Sequence, residues 1–400
     1  MAEQPNNVIL DGTLLNVLAA AVQDIFEVER IEIPPKESQD TIYFIGQILN
    51  NADSEVAYEM LANRWYPHGY TPALKRRAGQ VILVANPGVV VVKPSNPWIN
   101  SALGLVTVLS IQLTGALYEC QCSFPTTLSQ WAGGLPMMLA MMSILLAHEF
   151  GHYFAARYHN VAVTLPYFLP LPPPLSPIGT LGAFIQLRSP FKTKKQLFDI
   201  GVAGPIGGLI LALPLTVIGV AMSPVQPFQR QGASFLEGNS IFYLSLKYLT
   251  HGQLLPSFDE YAHLPFWQEY FYLLGGVLPA GNGSDIIINS FTLAAWFGLF
   301  VTAMNLLPVG QLDGGHLMYC LLGEKARWLG MVLVAIMAII GLVSWTGWLL
   351  WAVLIVFVIG VGHPAPMNEL AELGMPRTIL AYVMLIVFVL LFMPTPLQLL

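Results

Sequence analysis

After residue 97 the sequence returns seven times to long apolar runs, at about 98–118, 132–158, 198–222, 290–308, 327–343, 346–361 and 378–394. A run of roughly 18 or more apolar residues is long enough for a helix to cross hydrocarbon. There only a helix or a closed barrel satisfies its own backbone hydrogen bonds. The runs therefore predict a polytopic α-helical membrane protein with about seven transmembrane helices. Composition agrees, with 55% hydrophobic and 10% charged residues, and it sets aside the soluble multidomain reading that 400 residues would otherwise suggest.

Residues 1–95 differ in character and hold eleven of the twenty-three acidic residues. "TIYFIGQIL" and "GQVILVANPGVVVVK" read as strands, and "DSEVAYEMLANRWY" as a helix with an Asp N-cap. The expectation is a small soluble α+β domain of unknown role at 1–95, with no nucleotide loop or catalytic cluster, followed by a transmembrane domain at 96–400. The first thirty residues lack a basic region followed by an apolar core, so neither a signal nor a transit peptide is expected. Three cysteines cannot build a disulfide framework, and Cys120 and Cys122 are not expected to bind metal.

Basic residues set the orientation. With seven crossings and a cytoplasmic N-terminus, fifteen of the seventeen Lys and Arg fall on the cytoplasmic side, leaving only Arg230 and Lys247 in an outside polar loop at 223–289. The C-terminus is then outside. Within the loop, "FWQEYFYLLGGVLP" is short enough to be an interfacial or re-entrant piece.

The second run contains "LLAHEFGHYF", residues 145–154. Positions i and i+4 share a helix face, so His148 and His152 point the same way and can hold one zinc ion, with Glu149 beside them as a base. Ionisable groups at membrane depth cost on the order of 2–3 kcal/mol each, which weakens any incidental reading of the motif. A catalytic zinc takes three protein ligands. "NLLPVGQLDGGH", 305–316, offers Asp313, although Asp-Gly-Gly is equally well a surface turn. The charge-based topology places Asp313 near the same cytoplasmic level as the two histidines. His316 reads as a surface histidine at a helix start rather than a partner of the site.

"HEFGH" together with "NLLPVGQLDGG" and "GVAGP" resembles the site-2 protease family of intramembrane zinc metalloproteases, over roughly residues 98–365 and without an obvious PDZ domain. The cyanobacterial and plastid branch is the most similar. The resemblance implies one zinc ion per chain held by His148, His152 and Asp313, with Glu149 as catalytic base. It also implies Asn305 as a contact to substrate backbone or oxyanion, and a core at about 132–320. A re-entrant β-hairpin would cover "GTLGAFIQL", with Gly179, Gly182, Ala183 and Phe184 pairing with an unwound substrate strand. The implied partners are a transmembrane protein substrate and the lipid bilayer, with no nucleic acid and an open oligomeric state. A bacterial plasma or thylakoid membrane is the implied setting. The rival readings are a catalytically silent scaffold and an ion-coupled transporter; no second broken-helix half supports the latter. "PYFLPLPPPLSP", 166–177, is expected as a stiff polyproline spacer, and Gly204 and Gly208 as helix-packing residues.

Overall fold

The computed structural model describes residues 12–33, 41–49, 53–77, 79–91, 95–228 and 235–399. Residues 1–11, part of the targeting expectation, and Arg230 lie outside the described residues. The chain forms two compact units.

The first unit comprises Met1–Pro94, Arg188–Leu197 and Pro364–Gly374. Its elements are α1 (Gly12–Ala20), β1 (Phe26–Glu32), β2 (Ile42–Ile48), α2 (Ser54–Trp65), β3 (Tyr70–Arg77) and β4 (Gln80–Pro87). The strands form one antiparallel sheet in the order β1-β2-β4-β3. The Asp53 side chain caps α2 by accepting from the Glu55 N–H. Ala57, Tyr58, Leu61, Ala62 and Trp65 recur at helical spacing on the buried side of α2. They share a core with Phe26, Ile42, Phe44, Leu74 and Leu83 of the sheet.

Two distant segments belong to this unit although the sequence reading assigns them to 96–400. Asn368 explains one of them. It is fully buried, bridges Leu74 and Thr193 through its backbone, and donates from Nδ2 to the Ser54 carbonyl at 2.9 Å. Lys192 and Lys195 pair with Glu59 and Glu55 of α2 at 2.7 and 2.6 Å.

In the second unit, four helical stretches among the described residues are long and apolar enough to cross a membrane: Pro97–Cys120, Leu128–Tyr158, Lys194–Met222 and Asp313–Val343. They contain α3 (Pro97–Cys120), α4 (Leu128–Gly133), α5 (Leu135–Tyr158), α6 (Lys194–Met222), α10 (Asp313–Leu322) and α11 (Ala326–Val343). The first residues of α6 count with the first unit. The remaining apolar runs are shorter helices: α9 (Ser290–Asn305), α12 (Gly347–Leu354, continuing to Ile359) and α13 (Met375–Leu391). All seven expected runs are thus helical. Three are shorter than the roughly 20 residues of a full perpendicular span.

Between α5 and α6 lie β5 (Tyr167–Pro170) and β6 (Thr180–Phe184), an antiparallel pair. The proline-rich stretch is therefore partly strand rather than wholly spacer. The 223–289 segment, expected as a polar loop, is folded. It contains β7 (Val225–Phe228), β8 (Phe235–Glu237), α7 (Ile241–His251), β9 (Ser257–Phe258), α8 (Phe266–Gly275) and β10 (Gly283–Ile286). Leu244, Leu254, Phe258, Tyr261, Tyr270 and Leu273 give it a core of its own. β11 (Leu397–Leu399) pairs with β8, tying the chain's last strand to this region. Cys120 and Cys122 form a disulfide, where the sequence reading foresaw no disulfide framework.

Candidate metal centre

The buried positions of α5 include Met137, Ala140, Met141, Ile144, Leu145, His148, Glu149, His152 and Ala156, which recur at three- and four-residue spacing. The apolar members pack that face inward, and the motif residues are carried in with it. Asp313 arrives separately. α9 ends at Asn305, the chain turns through 306–312, and Asp313 is the first residue of α10. A carboxylate there is favoured by the helix's N-terminal dipole.

The three side chains meet. His148 Nε2 and His152 Nε2 are 3.2 Å apart. Asp313 Oδ2 lies 3.3 Å from the first and 3.4 Å from the second. Nitrogen and oxygen ligands at roughly 2.0–2.1 Å from a tetrahedral ion stand roughly 3.3–3.4 Å from one another. The donor set and its spacing therefore fit a four-coordinate divalent ion with one position open.

The protonation pattern fits as well. His152 Nδ1 is 2.7 Å from the Ile200 carbonyl, which can only accept, so the hydrogen is on Nδ1 and Nε2 presents its lone pair. α6 makes room for this ring: a Cβ at Gly204 would overlap His152 Nε2. Glu149 is buried, and its Oε2 has no hydrogen-bond partner. An unpartnered buried carboxylate oxygen is costly and calls for a ligand, proton or water.

Glu149 and the three candidate ligands line a cavity of about 200 Å³ with Asn305, Ala183, Phe184, Ile185 and His316. An adjoining apolar cavity of about 110 Å³ adds Met141, Ile144, Leu181, Gly182 and Phe300. Asn305 Nδ2 lies 3.2 Å from His148 Nε2. Of the expected strand residues, Gly182, Ala183 and Phe184 border these cavities. Gly179 does not: it sits at the hairpin's turn against α3, where Ser110 Oγ donates to its carbonyl at 2.6 Å.

A model of peptidase family M50 matches residues 136–345, just over half of the chain. The chain belongs to peptidase family M50. This is the family of the site-2 proteases that the motifs resemble. Among curated relatives, "Probable zinc metalloprotease EGY1, chloroplastic" of Oryza sativa subsp. japonica is 32% identical over 192 residues, covering 48% of this chain and 29% of the relative. The protein of the same name from Arabidopsis thaliana is 27% identical over 260 residues, covering 65% and 43%. "Probable zinc metalloprotease EGY2, chloroplastic" of Arabidopsis thaliana is 28% identical over 226 residues, covering 56% and 35%. The chain thus spans less than half the length of these relatives.

Several residues of the M50 centre escaped the sequence reading. Asn100 of α3 donates from Nδ2 to the Leu165 and Pro166 carbonyls at 2.8 and 3.0 Å, and with Ser110 it holds the β5–β6 hairpin. The signal was present: Asn100, Thr107, Ser110 and Thr114 form a buried polar series on an apolar helix. His316 is the second case. Expected at the surface, it lines the cavity, with Nδ1 2.6 Å from His363 Nε2. Packing of α6 and of residues 360–363 against the start of α10 half-buries it, and helix-start position alone does not reveal that.

Proposed function

We propose that the chain is an intramembrane zinc metalloendopeptidase that hydrolyses peptide bonds in or near transmembrane segments of membrane proteins. One observation carries the reading: the ligand atoms of His148, His152 and Asp313 stand 3.2–3.4 Å apart, with the unpartnered Glu149 Oε2 in the same buried centre. Family membership and the zinc metalloprotease names of its relatives support the choice of metal.

His148, His152 and Asp313 would hold the ion. Bound there, zinc supplies a Lewis acid that polarises a carbonyl and makes water reactive near neutral pH. Glu149 accepts the proton of the attacking water and later delivers it to the leaving amine nitrogen. Asn305 offers amide hydrogens at the His148 side of the cavity, where substrate backbone or a charge-gaining carbonyl oxygen would lie. β6 borders the cavity and, among the described residues, pairs only with β5. Its other edge is suited to an extended substrate strand, which would expose the scissile bond by unwinding the helix around it. The adjoining apolar cavity is suited to one aliphatic or aromatic side chain.

We take the seven apolar helices as seven crossings, with the shorter ones spanning a locally thinned or protein-lined region. The β8–β11 pairing agrees with this count, because the four crossings between the 223–289 region and the C-terminal strand, an even number, return the chain to the same side. A plastid-type or cyanobacterial membrane is the proposed setting, supported by the chloroplastic names of the relatives.

The test is reconstitution of the purified chain in liposomes with a model single-span substrate, beside Glu149→Gln and Asp313→Ala, with zinc measured in each. Near-stoichiometric zinc and cleavage in the wild type, zinc without cleavage in Glu149→Gln, and neither in Asp313→Ala are expected. Equal cleavage by wild type and Glu149→Gln would overturn the reading.

A further inference from the structure

His316 and His363 are used by nothing in the mechanism above, yet they stand in contact at its edge. α10 places Asp313 and His316 three residues apart, on one face of its first turn. The His316 ring lines the cavity that Glu149 and the three ligands line. It is also held. His363 meets it edge-on, with ring centroids 4.8 Å apart and planes at 87°. Behind His363 lies the Tyr319 ring, also 4.8 Å away and inclined by 30°. On the α6 side Gly201 leaves room only for hydrogen, since a Cβ there would stand 2.8 Å from His316 Cβ and 3.1 Å from Cδ2. The segment carrying His363 is fastened to the turn before Asp313, where Gln311 Nε2 donates to the Ile359 carbonyl at 3.1 Å.

Two imidazole nitrogens 2.6 Å apart share one hydrogen, so one donates and the other accepts. If His363 donates from Nε2, His316 accepts at Nδ1 and its own hydrogen resides on Nε2. A neutral imidazole fixed in that tautomer is a hydrogen-bond donor that needs no protonation to act. Nε2 is the ring nitrogen with which His316 can then address a ligand in the cavity.

We propose that His316 is a substrate-contacting catalytic residue, donating Nε2–H to the scissile carbonyl oxygen as it gains charge, and that His363 is the positioning residue that fixes this tautomer. The proposal rests on the peptidase reading. It adds a donor on α10 to the Asn305 amide on α9, so that the oxygen is approached from two elements. Donors fixed before the reaction stabilise developing charge without reorganising.

The full chain in liposomes tests it, using His316→Ala, His316→Gln, His363→Ala and the double variant His316→Ala/His363→Ala beside Glu149→Gln. Gln is informative because its Nε2 keeps an N–H donor near the position of the imidazole Nε2. His316→Ala is expected to lower kcat roughly 100-fold, with KM and zinc content little changed. His316→Gln is expected to recover at least roughly a tenth of the wild-type rate. His363→Ala should lose less than His316→Ala, and the double variant should be no worse than His316→Ala, because His363 acts through His316. In 15N spectra of metal-free, histidine-labelled protein, the Nε2–H tautomer of His316 should be present in the wild type and mixed in His363→Ala. Wild-type kcat in His316→Ala, equal losses in the Ala and Gln variants, loss of zinc in both, or additive losses in the double variant would each overturn the proposal. Full cleavage by Glu149→Gln removes the peptidase reading itself. A silent Glu149→Gln beside a fully active His316→Ala removes only the role of His316.

Discussion

His152 donates its Nδ1–H to the carbonyl of Ile200 over 2.7 Å, and this one bond sets the state of the candidate centre. It fixes the tautomer, aims the Nε2 lone pair at His148 and Asp313, and joins α5 to α6. The contact is possible only because the helices run close, with Gly204 beside the imidazole.

Gly204→Ala therefore places a methyl group where the His152 ring stands. Metal content should fall by roughly 10–100-fold in affinity, as when other orienting groups of a metal site are lost. Atomic emission on the purified variant, beside a circular dichroism spectrum confirming retained helix, checks this. Full zinc with an unchanged spectrum would show that α6 yields more easily than the packing implies.

Glu149→Gln keeps the volume and removes the proposed base. Zinc content should stay at the wild-type level while cleavage drops roughly 100–10,000-fold, the range of general acid–base catalysis. Parallel metal analysis and a substrate-cleavage time course read the two quantities separately.

Gly182 has a φ of +105°, in a region that side chains with a Cβ enter only at a cost. Gly182→Ala should cost about 1–2 kcal/mol of local stability and distort β6 where it borders the cavity. The expected signature is a raised KM with unchanged zinc. An unchanged KM would argue against strand pairing at this edge.

Asp199 joins three helices, accepting from Arg377 Nε and Nη2 at 2.7 Å each and meeting His159 Nε2 at 2.9 Å. The group is part-buried, and bidentate charged hydrogen bonds are among the stronger ones. Asp199→Ala should cost roughly 2 kcal/mol, seen as a lower unfolding temperature in detergent. Metal binding should survive, because no ligand is touched.

In the 223–289 region Lys247 is fully buried between Asp285 at 3.0 Å and Glu237 at 3.1 Å. Burial works against the ammonium, but the two carboxylates outweigh it and push the Lys247 pKa up. One ammonium cannot balance two buried carboxylates. Burial pushes the Asp285 carboxyl up to about 6 against the pull of Lys247, with repulsion from Glu237 adding to the rise. The folded state thus holds a proton that the unfolded chain releases near pH 4, so this group's contribution to stability is full below that value and is lost as pH rises through about 6. Thermal unfolding of wild type and Asp285→Asn across pH 4–7 should show the wild type losing ground as pH rises through this window. Lys247→Met, which strands both carboxylates, should cost roughly 3–5 kcal/mol.

The apolar runs, the paired histidines on one helix face and the break before Asp313 were legible in the sequence because each follows from local spacing. A helix turns every 3.6 residues whatever surrounds it. The run lengths gave helices but not their full extents, since α9 stops at Asn305 and α10 starts at Asp313 through the turn chemistry between them. The 223–289 region reads as a loop in the sequence because its short strands pair with partners as distant as residues 397–399.

By itself, then, the sequence determined that this is a helical membrane protein whose α5 carries two imidazoles and a carboxylate inward. Only the tertiary structure decided that Asp313 reaches those imidazoles, that Ile200 sets the state of one of them, and that His316 and His363 meet at the cavity. The physical reason is the range of the forces involved. Hydrophobic periodicity is written into consecutive residues, whereas a tautomer, a ligand-to-ligand spacing of 3.2–3.4 Å and a half-buried ring depend on how closely separate helices approach. That approach is set by glycines whose effect is visible only against the side chain they face.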